Sequence, residues 1–576
     1  MLAESKTIYA IKESLSKSID SESGLIAFKN QILAKSKVSI SDNLSNGHLS
    51  SNVCMIAASF LNKKPIEISH AFEEGLQKLS FVKDVKTAGP GFLNIFLEQS
   101  CFLDNFLDIK DITSLVQKDD KKSIQIEYVS ANPTGPLHVG HGRGAAYGDA
   151  LARILKFYGH DVSTEYYVND AGRQADILAC SIFLRKHNLL EDDYPNSAYK
   201  GSYIKDISNM LEKDIDFSDE FIDQIEKKLS DPEEHIDYLI EIIKAYDKDY
   251  WLYLKEFCLK KVISLIKADL DLLNVHHDCW FFESSLGQLD NTNSLLSKAI
   301  KDINQKNKYE KNDALWLKST VHGDDKDRVL VRENGRGTYL ASDVAYHKDK
   351  LDRGFDEIIN VWGADHHGYI KRIESAIESI GYSKDKLVVQ LVQFANLIEN
   401  GKKLKMSTRS GEFYQLSDLI TAIGSGAARF YYLSKQADQH FDFDITLAKS
   451  KTKENLFYYI QYAHARICSL TKKYNEGDNE ELSQFSDKNF SKCDDLILKV
   501  SKFNEIIEAA AQKYQPHLII FFLRDVAQTF HKFYNDNNIL DSDKDERENI
   551  MLCMVNVRHV IAKCLGLLGI EPIEKM

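Results

Sequence analysis

Two histidines three residues apart stand where a predicted strand gives way to a predicted helix. His138 and His141 lie in SANPTGPLHVGHGRG, directly after the alternating strand pattern SIQIEYV. The prolines keep the turn out of helical conformation, so we expect the helix to begin near Gly140. A helix N-terminus favours a bound anion, and imidazoles beside it can donate hydrogen bonds to phosphoryl oxygens. The pattern therefore predicts a phosphate-binding turn in which both histidines take part in group transfer.

Two other interpretations of the histidine pair stay open at this level. Both rings can serve only to cap the helix, or they can ligate a metal ion. A catalytic zinc site usually has three protein ligands, and no third ligand is evident nearby in the sequence. The Pro-x-Gly-Pro segment before HVGH favours phosphate binding over helix capping, and we predict no metal site.

Two further segments carry groups suited to a nucleotide. KMSTR, residues 405–409, is a basic loop of a kind that can close over triphosphate charge. GADHHG follows the predicted strand EIINVW, at the strand end where a doubly wound fold binds a nucleotide. Gly363 would allow close approach, while Asp365 and His366 would contact ribose or adenine. Taken alone, the first segment is equally a solvated turn, and the second a polar strand end or a metal-binding DHH.

The segment at 130–144 resembles the HIGH signature of class I aminoacyl-tRNA synthetases, in the form found in arginyl-tRNA synthetases. KMSTR resembles the second class I signature, KMSKS, with Thr408 in place of its second lysine and Arg409 following. The similarity also includes, in family order, YVNDAGRQ, YKGSYI, WFFESSL, YLASDVAYH, VWGADHHGYI, QYAHARI and FHKFY. By resemblance, the chain is identified as a member of the arginyl-tRNA synthetase family.

The resemblance implies an enzyme that ligates L-arginine to its cognate tRNA, tRNA(Arg), in two steps. ATP-dependent formation of arginyl-adenylate comes first, and transfer to the 3′-terminal adenosine follows. His138, His141 and Lys405 would be catalytic, with Mg²⁺ accompanying ATP rather than occupying a dedicated protein site. The implied ATP contacts are these three residues together with Gly140, Gly363, Asp365, His366, Met406 and Ser407.

The arginine substrate needs a carboxylate that can accept its planar guanidinium group. Tyr339 and Asp343 are four residues apart on a predicted helix, so they share a face. The resemblance assigns the guanidinium to these two residues. It assigns the α-amino and carboxylate groups to Ser130 and Asn132, with Glu127 assisting from the strand behind them.

The C-terminal region carries only helical periodicity. The resemblance gives it the anticodon, whose unpaired bases are recognised by stacking and by contacts to base edges. Residue types that suit this chemistry occur in QYAHARI, and the predicted tRNA contacts are Gln461, Tyr462, His464 and Arg466.

The elements that must position these residues form three regions. Alternating strand and helix patterns predict a multidomain α/β protein whose catalytic domain is a doubly wound, Rossmann-like parallel sheet at residues 116–438. That domain is predicted to carry a mostly helical, acidic insertion at about 188–300. The patterns also predict a small α+β domain at 1–115 and an all-α domain at 439–576, and the resemblance implies that the first contacts tRNA and the second binds the anticodon.

Composition limits the function classes. The net charge is −13, yet residues 191–250 hold 18 Asp and Glu against seven Lys, so the rest of the chain is nearly neutral. Nine cysteines without a CxxC pair, and no predicted signal or membrane span, indicate a cytoplasmic protein, expected to be a monomer. The alternatives are another class I-type adenylyltransferase that never uses tRNA, and a tRNA-binding paralogue with a decayed site.

Overall fold

The computed structural model of this chain forms two compact units. One comprises Met1–Lys121, Phe157–Gly159 and Lys451–Met576, and the other comprises Lys122–Lys156 and His160–Ser450. The residues that the structure describes are 6–22, 24–107, 120–191, 193–403, 414–476, 482 and 484–576.

The N-terminal part of the first unit is a small α+β layer structure. Its antiparallel sheet packs against helices through an apolar cluster that includes Ile11, Val53, Phe72 and Ile95. The helices are α1 (Lys6–Ser21), α2 (Lys29–Lys35), α3 (Val53–Leu61), α4 (Pro65–Gln77) and α5 (Gln99–Leu107). The strands, in the spatial order β1-β2-β4-β3, are β1 (Val38–Ile40), β2 (Leu49–Ser51), β3 (Val82–Ala88) and β4 (Phe92–Leu97).

A five-stranded, all-parallel sheet forms the centre of the second unit. Its strands are β5 (Ser123–Glu127), β6 (Asp161–Val168), β7 (Cys279–Phe282), β11 (Glu357–Gly363) and β12 (Leu387–Val392), in the order β12-β11-β5-β6-β7. The chain runs from β5 outwards to β7 and later returns to place β11 on the other side of β5. Ligands bind at such a change of direction, at the carboxyl ends of the strands, so the site is expected between β5 and β11.

The remaining elements of the second unit surround this sheet. Its helices are α6 (Val139–Phe157), α7 (Arg173–Lys186), α8 (Ser202–Asn209), α9 (Asp219–Ile225), α10 (Pro232–Tyr246), α11 (Lys248–Leu272), α12 (Leu295–Asp302), α13 (Tyr339–Asp352), α14 (Ile370–Ser379), α15 (Leu416–Ile423), α16 (Ser425–Leu433) and α17 (Ile445–Lys449). Two small sheets add β8 (Lys308–Lys311), β9 (Ala314–Leu317), β10 (Arg328–Val331), β13 (Ala395–Glu399), β14 (Lys402–Lys403) and β15 (Phe441–Asp444).

The acidic segment forms helices, but the range predicted as an insertion also contains a strand. Helices α9 to α11 each begin with a side-chain cap. At α10, for example, the Asp231 carboxylate accepts from two N–H groups of the first turn, and Pro232 is the first helical residue. β7, however, pairs with β6 as the edge of the central sheet. Its four residues, CWFF, are too few for a period-2 pattern to stand out in sequence.

The C-terminal part of the first unit is helical. Its helices are α18 (Leu456–Asn475), α19 (Asp494–Ser501), α20 (Phe503–Gln512), α21 (His517–Asp536) and α22 (Lys544–Leu567). By length and composition, α22 is the one described helix that could cross a membrane. Because 67% of its most apolar stretch is buried inside the protein, it has the properties of a core helix.

Candidate active site

The chain turns sharply where β5 ends at Glu127. Val129 and Ser130 adopt φ values of 70° and 41°, in a region that residues other than glycine seldom occupy and that clusters at ligand sites. The Ser130 hydroxyl donates to Glu127 Oε1 at 2.9 Å and accepts from the Tyr167 N–H at 3.1 Å. These two bonds hold the strained turn at the carboxyl end of the central strand.

The two histidines of HVGH stack on each other, with ring centroids 3.8 Å apart. Nδ1 of His138 accepts from the Gly140 N–H at 3.0 Å, and Nδ1 of His141 accepts from the His138 N–H at 3.3 Å. Burial lowers the pKa of both rings, and the neighbouring His138 helps to bring the pKa of His141 to about 3. A neutral ring whose Nδ1 accepts must carry its proton on Nε2. The pair therefore consists of two uncharged Nε2–H donors at the start of α6.

Gly140 makes this stacked arrangement possible. A Cβ atom at this position would lie 2.7 Å from Cε1 of His138 and 3.2 Å from Cδ1 of Phe394. Contacts under 3.0 Å do not persist, so any larger residue would displace the His138 ring. The glycine between the two histidines is thus required by packing.

A cavity of about 170 Å³ lies between the ends of β5 and β11. It is lined by Gly140 and His141 from α6 and by Gly363, Asp365 and His366 from the GADHHG segment. The structure thus brings together five of the predicted ATP contacts, which come from two distant motifs. Val361, Trp362 and Phe394 add apolar surface to the same cavity, as expected of a nucleoside pocket.

Lys405, Met406 and Ser407 lie outside the described residues, within 404–413. The chain on the far side of that stretch is held beside the histidine turn. The Val139 N–H donates to the Tyr414 carbonyl at 3.2 Å, and the Leu416 N–H donates to the Leu137 carbonyl at 2.9 Å.

A second cavity, of about 470 Å³, also reaches His138 and His141. Its lining is mostly polar and includes Asn132, which is exposed on the turn after β5. Arg173, at the start of α7, lies in the same lining and donates to Asp237 at 2.6 Å and to Glu233 at 2.9 Å. The histidine pair therefore borders two cavities, and His141 lines both of them.

Asp343 lies in the second turn of α13, and its carboxylate accepts a hydrogen bond from the Tyr369 hydroxyl. Burial raises the pKa of Asp343 to about 7, and the nearby Glu127 and Glu283 add to this effect, while the Tyr369 bond opposes it. Tyr339, one turn earlier, is 67% exposed. The helix thus carries one buried carboxylate and one accessible ring, four residues apart as predicted.

Acidic side chains gather around Tyr167, at the end of β6. The pKa of Tyr167 is raised first by burial and then by Glu283, Asp343, Glu127 and Asp170. Burial, with help from Asp170, also raises the pKa of Glu283, whose buried Oε2 bonds to no described residue. Four carboxyl groups thus lie near Tyr167, and Glu127 is the one of them that is paired with Lys350, so this acidic cluster suits a cationic ligand.

Sequence reasoning missed Glu283 and Tyr369 as candidate site residues. Both lie inside segments that carried the family resemblance, WFFESSL and VWGADHHGYI. The signal was available, because a carboxylate directly after a strand of a parallel sheet lies at the ligand-binding edge. Because β7 was not recognised as a strand, the residue that follows it could not be assigned to the ligand-binding edge of the sheet.

The four predicted tRNA contacts on α18 differ in accessibility. Gln461 is buried and bonds to both Glu571 and Ile573, and the buried His464 bonds to the Ile573 carbonyl. Both side chains hold the C-terminal segment against the helix, so they do not fit an RNA-contacting role. The physical reason is that Gln461 and His464 lie on the apolar face of α18, which the sequence alone could not decide.

Tyr462 and Arg466 present a different surface. Tyr462 is 37% exposed and stacks on Tyr458 and on His531. The Arg466 guanidinium lies 3.9 Å from the centroid of the Tyr534 ring and 5.1 Å from that of Tyr462. This aromatic ladder is partly accessible at Tyr462, and aromatic rings and guanidinium groups are the groups on which unpaired bases stack.

Among the residues that the structure describes, no three His, Cys, Asp or Glu side chains are grouped so as to hold a metal ion. The two histidines of HVGH use Nδ1 for backbone bonds, and DHH is separated from them by the smaller cavity. The geometry gives no support to the metal-binding interpretations of HxxH and DHH.

Three family models match the chain. They describe an arginyl tRNA synthetase N terminal domain at residues 7–97, the catalytic domain of tRNA synthetases class I (R) at 104–438 and a DALR anticodon binding domain at 460–576. The arginine–tRNA ligase of Nitrosomonas eutropha is 41% identical over 551 residues, covering 92% of this chain and 93% of that protein. That of Acinetobacter baylyi is 38% identical over 564 residues, covering 92% and 94%.

The chain belongs to the arginyl-tRNA synthetase family. Its activity is therefore the aminoacylation of tRNA with arginine, which confirms the predicted family, enzyme class and fold class. The structure of Thermus thermophilus arginyl-tRNA synthetase has the same fold, with a TM-score of 0.74 and 21% identity over 99% of this chain and all of that one. An adenylyltransferase without tRNA does not fit a chain that also matches an anticodon-binding domain.

Proposed function

We propose that the cavities around His138 and His141 are the site at which this synthetase first makes arginyl-adenylate and then charges tRNA(Arg). The observation that carries the proposal is the meeting of the neutral His141, which stacks on His138, with Gly363, Asp365 and His366 around one cavity. Adenosine would occupy that cavity, with Asp365 and His366 towards the ribose or adenine. Gly140 and Gly363 would admit the nucleotide close to the backbone.

In the first step, an oxygen of the arginine carboxylate attacks the α-phosphorus of ATP–Mg²⁺ and pyrophosphate leaves. The substrate supplies the nucleophile, so the protein contributes alignment and stabilisation of charge. The Nε2–H groups of His138 and His141 would donate to phosphoryl oxygens, and Lys405, with Met406 and Ser407, would contact the triphosphate. The backbone N–H groups bound at Nδ1 keep the proton of each neutral ring on Nε2, where it can be donated.

The acidic pocket around Tyr167 would take the arginine side chain. Asp343 and Glu283 would receive the guanidinium, with Tyr339 covering it from the accessible side. Ser130 and Asn132, on the strained turn, would bind the α-amino and carboxylate groups. Asp343 and Glu283 make no ion pair with a described side chain, so both carboxyl groups are available to the guanidinium.

In the second step, a ribose hydroxyl of the 3′-terminal adenosine attacks the carbonyl of the adenylate and releases AMP. The larger cavity would admit this nucleoside, because it reaches the same histidines from the side lined by Asn132 and the start of α7. Its volume lies in the range of ordinary ligand pockets.

The tRNA would also contact the first unit. Tyr462 and Arg466 would stack on bases of the anticodon loop, and residues 1–115 would bind another part of the tRNA. We further propose that the enzyme is a cytoplasmic monomer. Light scattering after gel filtration should give the mass of one chain, and a dimer mass at micromolar concentration would contradict that assignment.

An assay of adenylation tests the site assignment directly. ATP–pyrophosphate exchange, run in the presence of tRNA(Arg), should depend on L-arginine and be lost together with aminoacylation when Asp343 is replaced by Asn. Unchanged exchange in that variant would place the arginine site elsewhere.

A further inference from the structure

A row of buried polar side chains crosses the centre of the parallel sheet. Asn360 on β11, Glu127 on β5 and Glu165 on β6 lie side by side in the strand register. All three are buried, in a layer that a parallel sheet normally fills with aliphatic residues. Buried polar groups must be satisfied by hydrogen bonds, and here α13 supplies the principal partners.

One half of the row is an ion pair at Glu165. Arg353 donates to both oxygens of Glu165, at 2.7 and 3.0 Å, and the Tyr346 hydroxyl donates to Oε1 at 2.7 Å. These bonds fix the C-terminal half of α13 on the sheet. None of them touches Ser130 or Asp343.

The other half centres on Lys350, whose side chain is 0% exposed. Its ammonium group donates to Oε2 of Glu127 and, at 3.0 Å, to Oδ1 of Asn360. The other carboxylate oxygen of Glu127 accepts from the Ser130 hydroxyl at 2.9 Å. Lys350 is therefore linked to Ser130 through a single carboxylate.

Asn360 continues the chain of bonds towards Asp343. Because its Oδ1 accepts from Lys350, its amide group must donate to Nε2 of His347, 2.9 Å away. Burial and Lys350 lower the pKa of His347 to about 3, so the ring is neutral and carries its proton on Nδ1. Nδ1 lies 2.8 Å from the Asp343 carbonyl oxygen and donates to it. Each hydrogen bond in this series thus has a defined donor and a defined acceptor.

We propose that Lys350 is a positioning residue for amino-acid selection, because it sets the spacing between Ser130 and Asp343. This inference rests on the proposed arginine site, in which these two residues hold opposite ends of the substrate. An ammonium group only donates, so it draws the oxygens of Glu127 and Asn360 to one point between β5 and β11. A site with fixed ends accepts an amino acid of one length.

Replacing Lys350 by Met removes the ammonium but keeps an unbranched side chain. Released from Lys350, Glu127 and Ser130 would no longer be fixed relative to α13. We expect the KM for arginine to rise about tenfold or more, because small displacements of substrate-binding groups are costly. The KM for ATP should stay within about twofold, since the nucleotide cavity contains none of these residues.

The preference for arginine over a longer analogue is a quantity that a loss of protein stability alone does not change. L-Homoarginine places the same guanidinium one methylene further out. One methylene is typically discriminated about 10–200-fold, and in Lys350→Met we expect the preference for arginine to fall about fivefold or more. Arg353→Met is the matched control, because it breaks the neighbouring ion pair with Glu165 at the C-terminal end of the same helix. It should lower the melting temperature while leaving the preference for arginine unchanged.

The experiment has a defined contrary result. An arginine KM and a length preference that are unchanged in folded Lys350→Met would overturn the proposal, as would an equal change in Arg353→Met. If Lys350→Met does not fold, the charge-balanced variant Glu127→Gln/Lys350→Met carries the same readout, with the same expectation. Calorimetric binding of L-arginine to Asp343→Asn separates the two claims: unchanged affinity refutes the arginine site itself, whereas lost affinity leaves only the role of Lys350 under test.

Discussion

Burial sets the charge of the groups that the proposed reaction uses. His138 and His141 are kept neutral, so each offers an Nε2–H to a phosphoryl oxygen without carrying charge. Asp343 is the opposite case, since burial brings the pKa of a carboxylate to about 7. The same physical effect thus keeps both histidines neutral and makes the negative charge of Asp343 depend on pH near neutrality.

His141→Asn tests the donor role. The Asn carboxamide oxygen can replace Nδ1 as the acceptor of the His138 N–H, but no donor remains at the position of Nε2. We expect adenylation to fall by about 10²–10³, the usual cost of losing one such donor, with tRNA affinity nearly unchanged. Exchange kinetics and filter binding measure the two quantities. Wild-type turnover in the variant would remove His141 from the phosphate site.

Arginine binding should depend on pH through Asp343. Below its raised pKa the carboxyl group is protonated and cannot pair with guanidinium, so affinity should strengthen as the pH rises from about 6 to 8. Below pH 7 the dissociation constant should change by up to about tenfold per pH unit. Titration calorimetry across this range measures the effect, and Asp343→Asn should bind weakly with a flatter profile. A flat profile in the wild type would contradict the prediction.

At the scale of elements, the turn from β5 into α6 positions the chemistry. Its strained residues Val129 and Ser130 are held by Glu127 and Tyr167, and Gly140 provides the space in which the histidine rings stack. On the other side of the cavity, Arg143 holds its surroundings by donating to the carbonyls of Gln393, Gln436 and Gln439. These contacts fix the backbone so that binding a nucleotide requires little rearrangement.

Gly140→Ala should inactivate the enzyme through this packing. The new Cβ would lie 2.7 Å from Cε1 of His138, so the ring must move and its Nε2–H leaves the phosphate position. We expect adenylation to fall about 100-fold, as for a misplacement of roughly 1 Å. Gly566→Ala is the control, because a Cβ there meets nothing within 4 Å on helix α22. The control should be fully active, and equal activity in Gly140→Ala would contradict the packing argument.

At the scale of the whole molecule, the distribution of charge and of exposed aromatic residues indicates where tRNA binds. Residues 191–250 carry −11 of the net −13 and form the acidic helices α8 to α10. Apart from the larger cavity proposed for the terminal adenosine, whose lining includes residues of this segment, RNA is least expected on that surface, because phosphate contacts require basic or neutral groups. The aromatic ladder around Tyr462 does not depend on bulk charge, since stacking uses the faces of the bases.

Tyr462→Ala should weaken tRNA(Arg) binding. Loss of one base-stacking ring typically costs about 1–3 kcal/mol, so we expect the tRNA dissociation constant to rise about tenfold. Phe521→Ala offers a control, because Phe521 is a similarly exposed aromatic residue of the same region, at 39%. Filter binding should show the change for Tyr462 alone. Equal affinities in both variants and the wild type would place the anticodon contacts elsewhere.

Local patterns were enough to predict the alternating fold and the strand-to-helix turn. Gly363 and Asp365 could be predicted because they lie at or just after the end of β11, where parallel sheets bind ligands, and His138 and His141 because they lie at the start of the helix that follows β5. The short strand β7 could not be predicted, and Glu283, which follows it, was missed for that reason.

The register between strands that are far apart in the chain could not be predicted from the sequence. Nothing local indicates that Asn360, Glu127 and Glu165 lie side by side, because their alignment depends on the pairing of three strands far apart in the chain. The same applies to Gln461 and His464, whose partners are in the C-terminal segment more than 100 residues away. In both cases, tertiary contacts decide what a polar side chain does.

Aminoacylation of total tRNA with each of the twenty amino acids in turn tests the proposed arginine site most directly. We expect ATP-dependent charging with L-arginine alone, on tRNA(Arg), and loss of that charging in Asp343→Asn. Charging with another amino acid, or full arginylation by Asp343→Asn, would contradict this expectation.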